Sequence, residues 1–185
     1  MTEADSDFAI WFAGSHVVDL AGAPLRVFHG TGSRSAFDPS KLRTRRRPNN
    51  PWSGTFSMGA YFTDDPNVAS RFSGRSGQIF PVYLSIRHPF DARGLDYVQL
   101  SRQVEWLGQD ALSLIRREDR SYWVDYSILE RLDARFNLVP RLKRRGYDGL
   151  IWKDDVEGTT FVVFKGSQIR SVFAQADMSP HLNAA

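Results

Sequence analysis

Leu25-Arg26-Val27-Phe28-His29-Gly30-Thr31 is an apolar run that delivers a histidine and then turns at once through Gly30 and Gly32. A strand carrying Val27 and Phe28 into a core leaves His29 at its mouth. The small residues after it let a ligand approach bare backbone N–H and C=O groups, because no Cβ stands in the way. An ordinary strand-to-turn junction has the same look, so this stretch needs companions. Two are present: Tyr61-Phe62-Thr63 with Phe72 downstream, and Thr160-Phe161-Val162-Val163-Phe164 followed by Gln168-Ile169. The chain is rich in large rings (13 Phe, 6 Tyr, 5 Trp), which either fill a core or stack on a flat ligand.

Other chemistries lack their residues. There is no cysteine, hence no disulfide framework, thiolate nucleophile or cysteine-based zinc site. The histidines His16, His29, His88 and His181 have no spacing that places two on one helical face for a metal. The chain has no Gly-x-x-x-x-Gly-Lys-Ser/Thr loop and no Gly-x-Ser-x-Gly elbow, and Gly30-Thr31-Gly32 lacks the third glycine of a Rossmann fingerprint.

The elements that must position these residues follow from pattern. With 185 residues, 42% of them apolar and 24% charged, the composition is that of a globular chain, and one domain over residues 1–185 is expected. Phe8, Trp11 and Phe12 fall on one helical face with Gly14 as its stop. Val17-Val18 and Leu25–Phe28 form a hairpin-like pair around Asp19–Pro24. Tyr61–Thr63 reads as a short strand. Asp64 or Asp65 then caps a helix begun by Pro66, with Val68, Ala69 and Phe72 on one side. Ile79–Ile86 is the clearest strand, and Pro81 within it predicts an edge position or a bulge. Residues 97–145 carry helical periods, ending in a short basic helix that Gly146 stops. Gly149–Trp152 and Thr160–Phe164 are strands flanking an acidic loop, and Ser167–Val172 is a last strand or edge. The class is α+β, a mainly antiparallel sheet system with a central helical insertion.

The formal net charge is +3, concentrated in Lys41-Leu42-Arg43-Thr44-Arg45-Arg46-Arg47. Such a run is either a solvated loop or a patch that seeks phosphates of a nucleic acid or a dinucleotide. The N-terminus has no basic segment followed by an apolar run, and no stretch is long enough to span a bilayer. A soluble protein of the cytoplasm, in a bacterium or a phage-infected host cell, is expected.

Taken in order, Trp11-Phe12, Val17-Val18, Pro24–Thr31, Gly59–Thr63, Pro81–Leu84, Gly146–Gly149, Phe161–Phe164 and Gln168–Ser171 carry a resemblance across nearly the whole chain. It resembles the ADP-ribosyltransferase superfamily, of the histidine–tyrosine kind that includes the poly(ADP-ribose) polymerases and diphtheria toxin. More narrowly, it is similar to the ADP-ribosyltransferase domains of phage and prophage polyvalent proteins. The resemblance implies a split antiparallel β-sandwich holding NAD as co-substrate in the cleft between two sheets. His29 would bond ribose hydroxyls, the backbone of Gly30 would grip the carboxamide, and Thr31 and Phe62 would line the site. Tyr61 would stack on the nicotinamide, with Phe72 closing its other face. Breaking the nicotinamide–ribose bond passes through an oxocarbenium-like state, so the leaving ring must be held rigidly and kept from water.

One position departs from the pattern. Where the polymerases have a glutamate, this chain has Thr160, which cannot carry charge. Elongation of a polymer is therefore not expected, and transfer of one ADP-ribose to a protein or nucleic-acid acceptor is, in a phage, toxin or bacterial conflict setting. Glu157 first, and then Asp155, are the acidic residues that stand near enough in sequence to replace that glutamate; the same residues also read as a solvated hairpin loop. Alternatives are a module that binds NAD or nucleic acid without turning NAD over, an NAD glycohydrolase, and transfer of a 2′-phosphate from RNA.

Overall fold

The structure, a computed structural model, describes residues 3–33, 38–39, 58–117, 123–154 and 158–173. Among these, six α-helices accompany a seven-stranded sheet of order β4-β5-β6-β2-β1-β3-β7. The strands are β1 (Val27–Thr31), β2 (Ala60–Thr63), β3 (Gln78–Leu84), β4 (Pro89–Asp91), β5 (Gly149–Asp154), β6 (Gly158–Val163) and β7 (Ile169–Ser171). All neighbours run antiparallel except β4 and β5. The mixed class and the largely antiparallel sheet agree with the reading from sequence.

That parallel pair explains the helical middle of the chain. Two parallel neighbours cannot be joined by a tight turn and need a long crossover. Here the crossover is α3 (Tyr97–Gln103), α4 (Gln109–Arg116), α5 (Tyr126–Phe136) and α6 (Leu138–Arg144). Asp96 and Gln99 form a capping box that starts α3, and Asp125 accepts from Ile128 N–H to start α5. Asn137, at φ 55°, ends α5 in the left-handed region and sends the chain straight into α6. The helices bury Leu100, Ile115, Ile128, Leu129, Leu132 and Leu142 against one face of the sheet, where Leu150, Trp152 and Val162 point. The opposite face carries a second apolar cluster of Val27, Phe62, Val82, Leu84, Ile151 and Phe161.

Nearer the N-terminus, α1 (Glu3–Phe12) ends before Gly14, and Phe8 meets Tyr83 of β3 edge-on at 5.2 Å. The expected hairpin is reduced to one bridge, Val18 with Pro24, because the Asp19 carboxylate captures the N–H groups of Ala21 and Ala23 and closes a turn instead. Pro81 does not mark an edge strand, since β3 has β1 on one side and β7 on the other. Its carbonyl accepts from Val172 N–H, so its missing N–H also faces the β7 side, where pairing begins only at Val82. The β1 ladder loses nothing to the proline.

The sheet is two blocks held together by little. Strands β4-β5-β6-β2 form one, and β1-β3-β7 the other. Each is knit by runs of pairs, but β1 and β2 share a single registered pair, Phe28 with Thr63. Beyond that pair, towards His29, the two strands part.

At the far end of β3 the buried Gln168 side chain ties four segments together. Its Oε1 accepts from Phe164 and Lys165 N–H, and its Nε2 donates to the carbonyls of Ser85 and Asp148. Each such bond contributes about 1 kcal/mol, and orphaned buried partners cost more. Gln168→Ala is therefore expected to lower unfolding free energy by about 2–4 kcal/mol in chemical denaturation. A change under about 0.5 kcal/mol would mean that solvent replaces all four bonds.

Candidate functional site at the parting of two strands

The residues singled out from sequence converge on the place where β1 leaves β2, but not all through their side chains. On β1, Val27 joins the cluster on one face, so His29 projects to that side and Phe28 and Gly30 to the other. The His29 ring lies 5.3 Å from that of Phe62. Its Nδ1 is 2.8 Å from the backbone carbonyl oxygen of Tyr61, across the gap where the β ladder has stopped. A carbonyl only accepts, so Nδ1 carries the hydrogen and Nε2 is the acceptor of the neutral ring. Burial pushes the imidazole below its usual range, more than the bond to Tyr61 raises it. At neutral pH the ring is uncharged.

On the other face, Gly30 lies directly under α2 (Pro66–Ser73). A Cβ at Gly30 would run into the Ala69 carbonyl oxygen and stand 3.3 Å from the Phe72 Cβ. Helix α2 begins as the sequence indicates, with Asp65 accepting from Asn67 N–H and Pro66 in the first turn. Its buried side is Val68, Ala69 and Ser73 rather than Phe72. The Phe72 ring is 61% exposed beside Gly30, a flat apolar surface turned to solvent. Thr31 sits at the end of β1, where its hydroxyl accepts from Ser33 N–H.

Tyr61 takes a different place from the open stacking plate expected of it. Its ring packs inward, edge-on to Tyr126 of α5 at 6.3 Å and to Trp152 of β5 at 6.1 Å. Its hydroxyl accepts from Met58 N–H at 3.3 Å. Burial raises the phenol well above its usual range, and the carboxylates of Glu130 and Asp133 add to the rise. Tyr61 and Phe72 therefore lie on the same face of the sheet but do not form a closed sandwich; Tyr61 is a floor and Phe72 a free wall.

Thr160 is 7% exposed and is the cross-strand partner of both Thr63 and Trp152. Paired residues in antiparallel strands point to the same side, so Thr160 shares a face with Tyr61, Thr63 and Trp152. Beside it, Asp64 Oδ1 accepts from Thr159 N–H at 3.0 Å and closes the start of β6. Glu157 and Asp155, named as replacements for the missing glutamate, fall outside the described residues, as does the basic run Lys41–Arg47. Sequence reasoning missed Tyr126, Glu130 and Trp152 as neighbours of Tyr61. The helical period of α5 was legible, but nothing in it says which strand its Tyr126–Glu130 edge will cover.

A separate cavity of about 450 Å³ opens at the other end of the sheet, between Trp11, Arg87, Lys143, Tyr147 and Phe164. Many of its polar groups serve the fold. Trp11 Nε1 donates to the Ser167 carbonyl, Arg87 to that of Trp11, and the Asp148 carboxylate accepts from Arg87 and His88 N–H. Among the described residues no group of acidic, histidine or cysteine side chains is arranged to hold a metal, and no helix is long and apolar enough to cross a membrane.

The lowered imidazole makes a prediction with a definite sign. The unfolded chain binds a proton at His29 near pH 6.5 while the folded one still resists it, so stability falls as pH drops from about 6.5 to the folded value, then levels. His29→Gln should flatten that limb of the stability–pH profile, and NMR titration should place the His29 midpoint below 6.5. A midpoint at or above 6.5 would contradict the buried, singly protonated ring.

A family model for the ADP-ribosyltransferase in polyvalent proteins matches residues 19–178. No curated protein matches the chain. Among solved structures, the crystal structure of an anti-CRISPR protein is similar at 14% identity, covering 80% of this chain and 94% of that one, with a TM-score of 0.34. The matched span takes in the His29 strand end, the Tyr61 strand, α2 and the whole helical crossover, so the chain belongs to the ADP-ribosyltransferase family of polyvalent proteins.

Proposed function

We propose that the chain is one NAD-dependent transferase domain that cleaves the nicotinamide–ribose bond and passes a single ADP-ribose to a macromolecular acceptor, in a phage or bacterial conflict setting. The observation that carries the reading is the neutral His29, set by the Tyr61 carbonyl in the opening between β1 and β2. With Nδ1 as the donor to that carbonyl, Nε2 is the acceptor atom of the ring, which suits the hydroxyl of a ribose. Gly30 then offers backbone N–H and C=O groups to the carboxamide, and the exposed Phe72 ring offers a face to the nicotinamide. The opening is the cleft of a split sandwich, and the ligand straddles it, with sugar towards His29 and ring towards Phe72.

The buried Tyr61 contributes rigidity under this cleft rather than a proton, because its phenol stays protonated at any physiological pH. Thr160 lends no charge, which favours one transfer over elongation. The same absence favours a second reading, a module that binds NAD without turning it over. Incubation with isotopically labelled NAD and lysate, followed by mass spectrometry, separates the two: a transferase leaves a mass increment of one ADP-ribose on an acceptor and free nicotinamide, and a binder leaves neither. Free ADP-ribose without adduct would point to hydrolysis.

Phe72→Ala tests the ring face without disturbing the core. Loss of one aromatic contact of about 1 kcal/mol or more predicts a five- to tenfold weaker Kd for NAD by calorimetry. Thermal stability should stay nearly unchanged, because the ring is 61% exposed. An unchanged Kd would remove Phe72 from the site.

A further inference from the structure

The cavity of about 450 Å³ at the far end of the sheet takes no part in the cleft between β1 and β2, yet it is built like a binding site. Its size is that of pockets that hold one small organic ligand. Three rings line it: Phe164, buried just past the end of β6, and the half-buried Trp11 and Tyr147. Trp11 is fixed twice, by the bond from its Nε1 to the Ser167 carbonyl and by Arg170, which pairs with Asp7 and lies 4.8 Å over the indole. Tyr147 meets Phe90 edge-on at 5.7 Å. The ring surface is therefore in place before any ligand arrives.

Arg87, Lys143 and Lys165 bring positive charge to the same space. The Lys143 Nζ stands 4.9 Å over the Phe164 ring. Both lysines reach solvent, and neither has an ion-pair partner among the described residues. Partial burial lowers the Lys143 ammonium from its usual range; the Asp133 carboxylate pulls it up and Lys165 pushes it down again, so the two ammonium groups feel each other. The lining carboxylate, Asp148, is turned to the backbone, where its oxygens accept from Arg87 and His88 N–H. The Gln168 amide is spent on the fold as well. What the cavity offers a ligand is cationic charge beside flat apolar surface.

We infer that this cavity is a second ligand site, one that takes the terminal phosphate of a nucleotide between Lys143 and Lys165 and lays the base against the aromatic wall. Two neighbouring ammonium groups match a doubly charged phosphate monoester better than a singly charged carboxylate, and lysine binds phosphate as a point charge. Rings beside that charge suit a flat group carried by the same ligand. Arg144 and Arg145 extend the cationic rim along the exposed end of α6, a track for the further phosphates of a strand. With the deep polar groups engaged in the fold, the site reads charge and stacking and has little preference among bases. NAD has no terminal phosphate monoester, and this rim repels its pyridinium charge. The site therefore stands whether or not the opening between β1 and β2 cleaves NAD.

The test titrates the full chain with adenosine 5′-monophosphate and with a short single strand bearing a 5′-phosphate. Adenosine, the unphosphorylated strand and phosphotyrosine are the comparison probes, and calorimetry and NMR of the indole N–H groups are the readouts. A phosphorylated probe should shift the Trp11 Nε1–H signal, bind about tenfold or more tighter than its unphosphorylated counterpart, and weaken as salt rises. A strand much tighter than the mononucleotide identifies a nucleic-acid end as the source, and equal affinities identify the free nucleotide. Lys143→Gln combined with Lys165→Gln should weaken binding about tenfold or more, with the thermal midpoint and the Kd for NAD held. The inference is overturned if neither phosphorylated probe moves Trp11 at millimolar concentration, or if shifts appear at Gly30 and Thr31 without any at Trp11. It is equally overturned if the unphosphorylated probes bind as tightly, if phosphotyrosine binds tighter than both nucleotides, or if the double variant binds within twofold of wild type. The comparison of probes needs only the unaltered chain, so it decides the matter independently of how the variant folds.

Discussion

Where two strands of a sheet separate, each carbonyl and N–H that faced the ladder must find another partner or lie open to a ligand. In this protein that separation comes immediately after Phe28 and Thr63, the one pair that links the two blocks of the sheet. The Tyr61 carbonyl is the first acceptor past the break, and the His29 ring takes it. A side chain thus stands in for a ladder bond. The substitution fixes which nitrogen of the imidazole carries hydrogen and holds the ring at the gap. The glycine next along β1 is bare for a related reason: helix α2 rests on it so closely that any side chain would strike the Ala69 carbonyl. An opening, a tautomer and an accessible backbone all follow from one break in pairing.

The helical crossover is a consequence of topology before it is anything else. Strands β4 and β5 run parallel, so the chain must leave the sheet and return, and the four helices that do so cover one face. Covering that face puts α5 over Tyr61 and Trp152, which raises the Tyr61 phenol and leaves the Trp152 indole nitrogen and one Glu130 carboxylate oxygen buried without a hydrogen-bond partner among the described residues. Tyr61 therefore works through its backbone carbonyl towards His29 and through its ring towards α5. A residue whose two ends serve two sides of the sheet couples the strand opening to the crossover.

Local chemistry made much of this legible in the sequence. The cap and proline that start α2, the glycine that stops α1, the helical periods between Tyr97 and Arg144 and the β5–β6 pair all announce themselves through neighbouring residues. The family was legible as an ordered set of short motifs rather than from any one of them. What the sequence concealed is what depends on partners distant along the chain. Pro81 looked like an edge marker because its missing N–H is a local fact, while the side of the strand it faces is set by β7. Phe72 shares a helical period with Val68 and Ala69, but α2 buries Ser73 in its stead once it settles on Gly30.

The central claim is that a pyridine dinucleotide lies across the opening between β1 and β2, and a titration of NAD into isotopically labelled protein followed by NMR tests it most directly. The account predicts progressive shifts at the amides of Gly30 and Thr31, at Phe72 and at the His29 ring nitrogen Nε2, with little change around Trp11 and Lys143. Shifts confined to the cavity between Trp11, Lys143 and Phe164, or none at millimolar NAD, would contradict it.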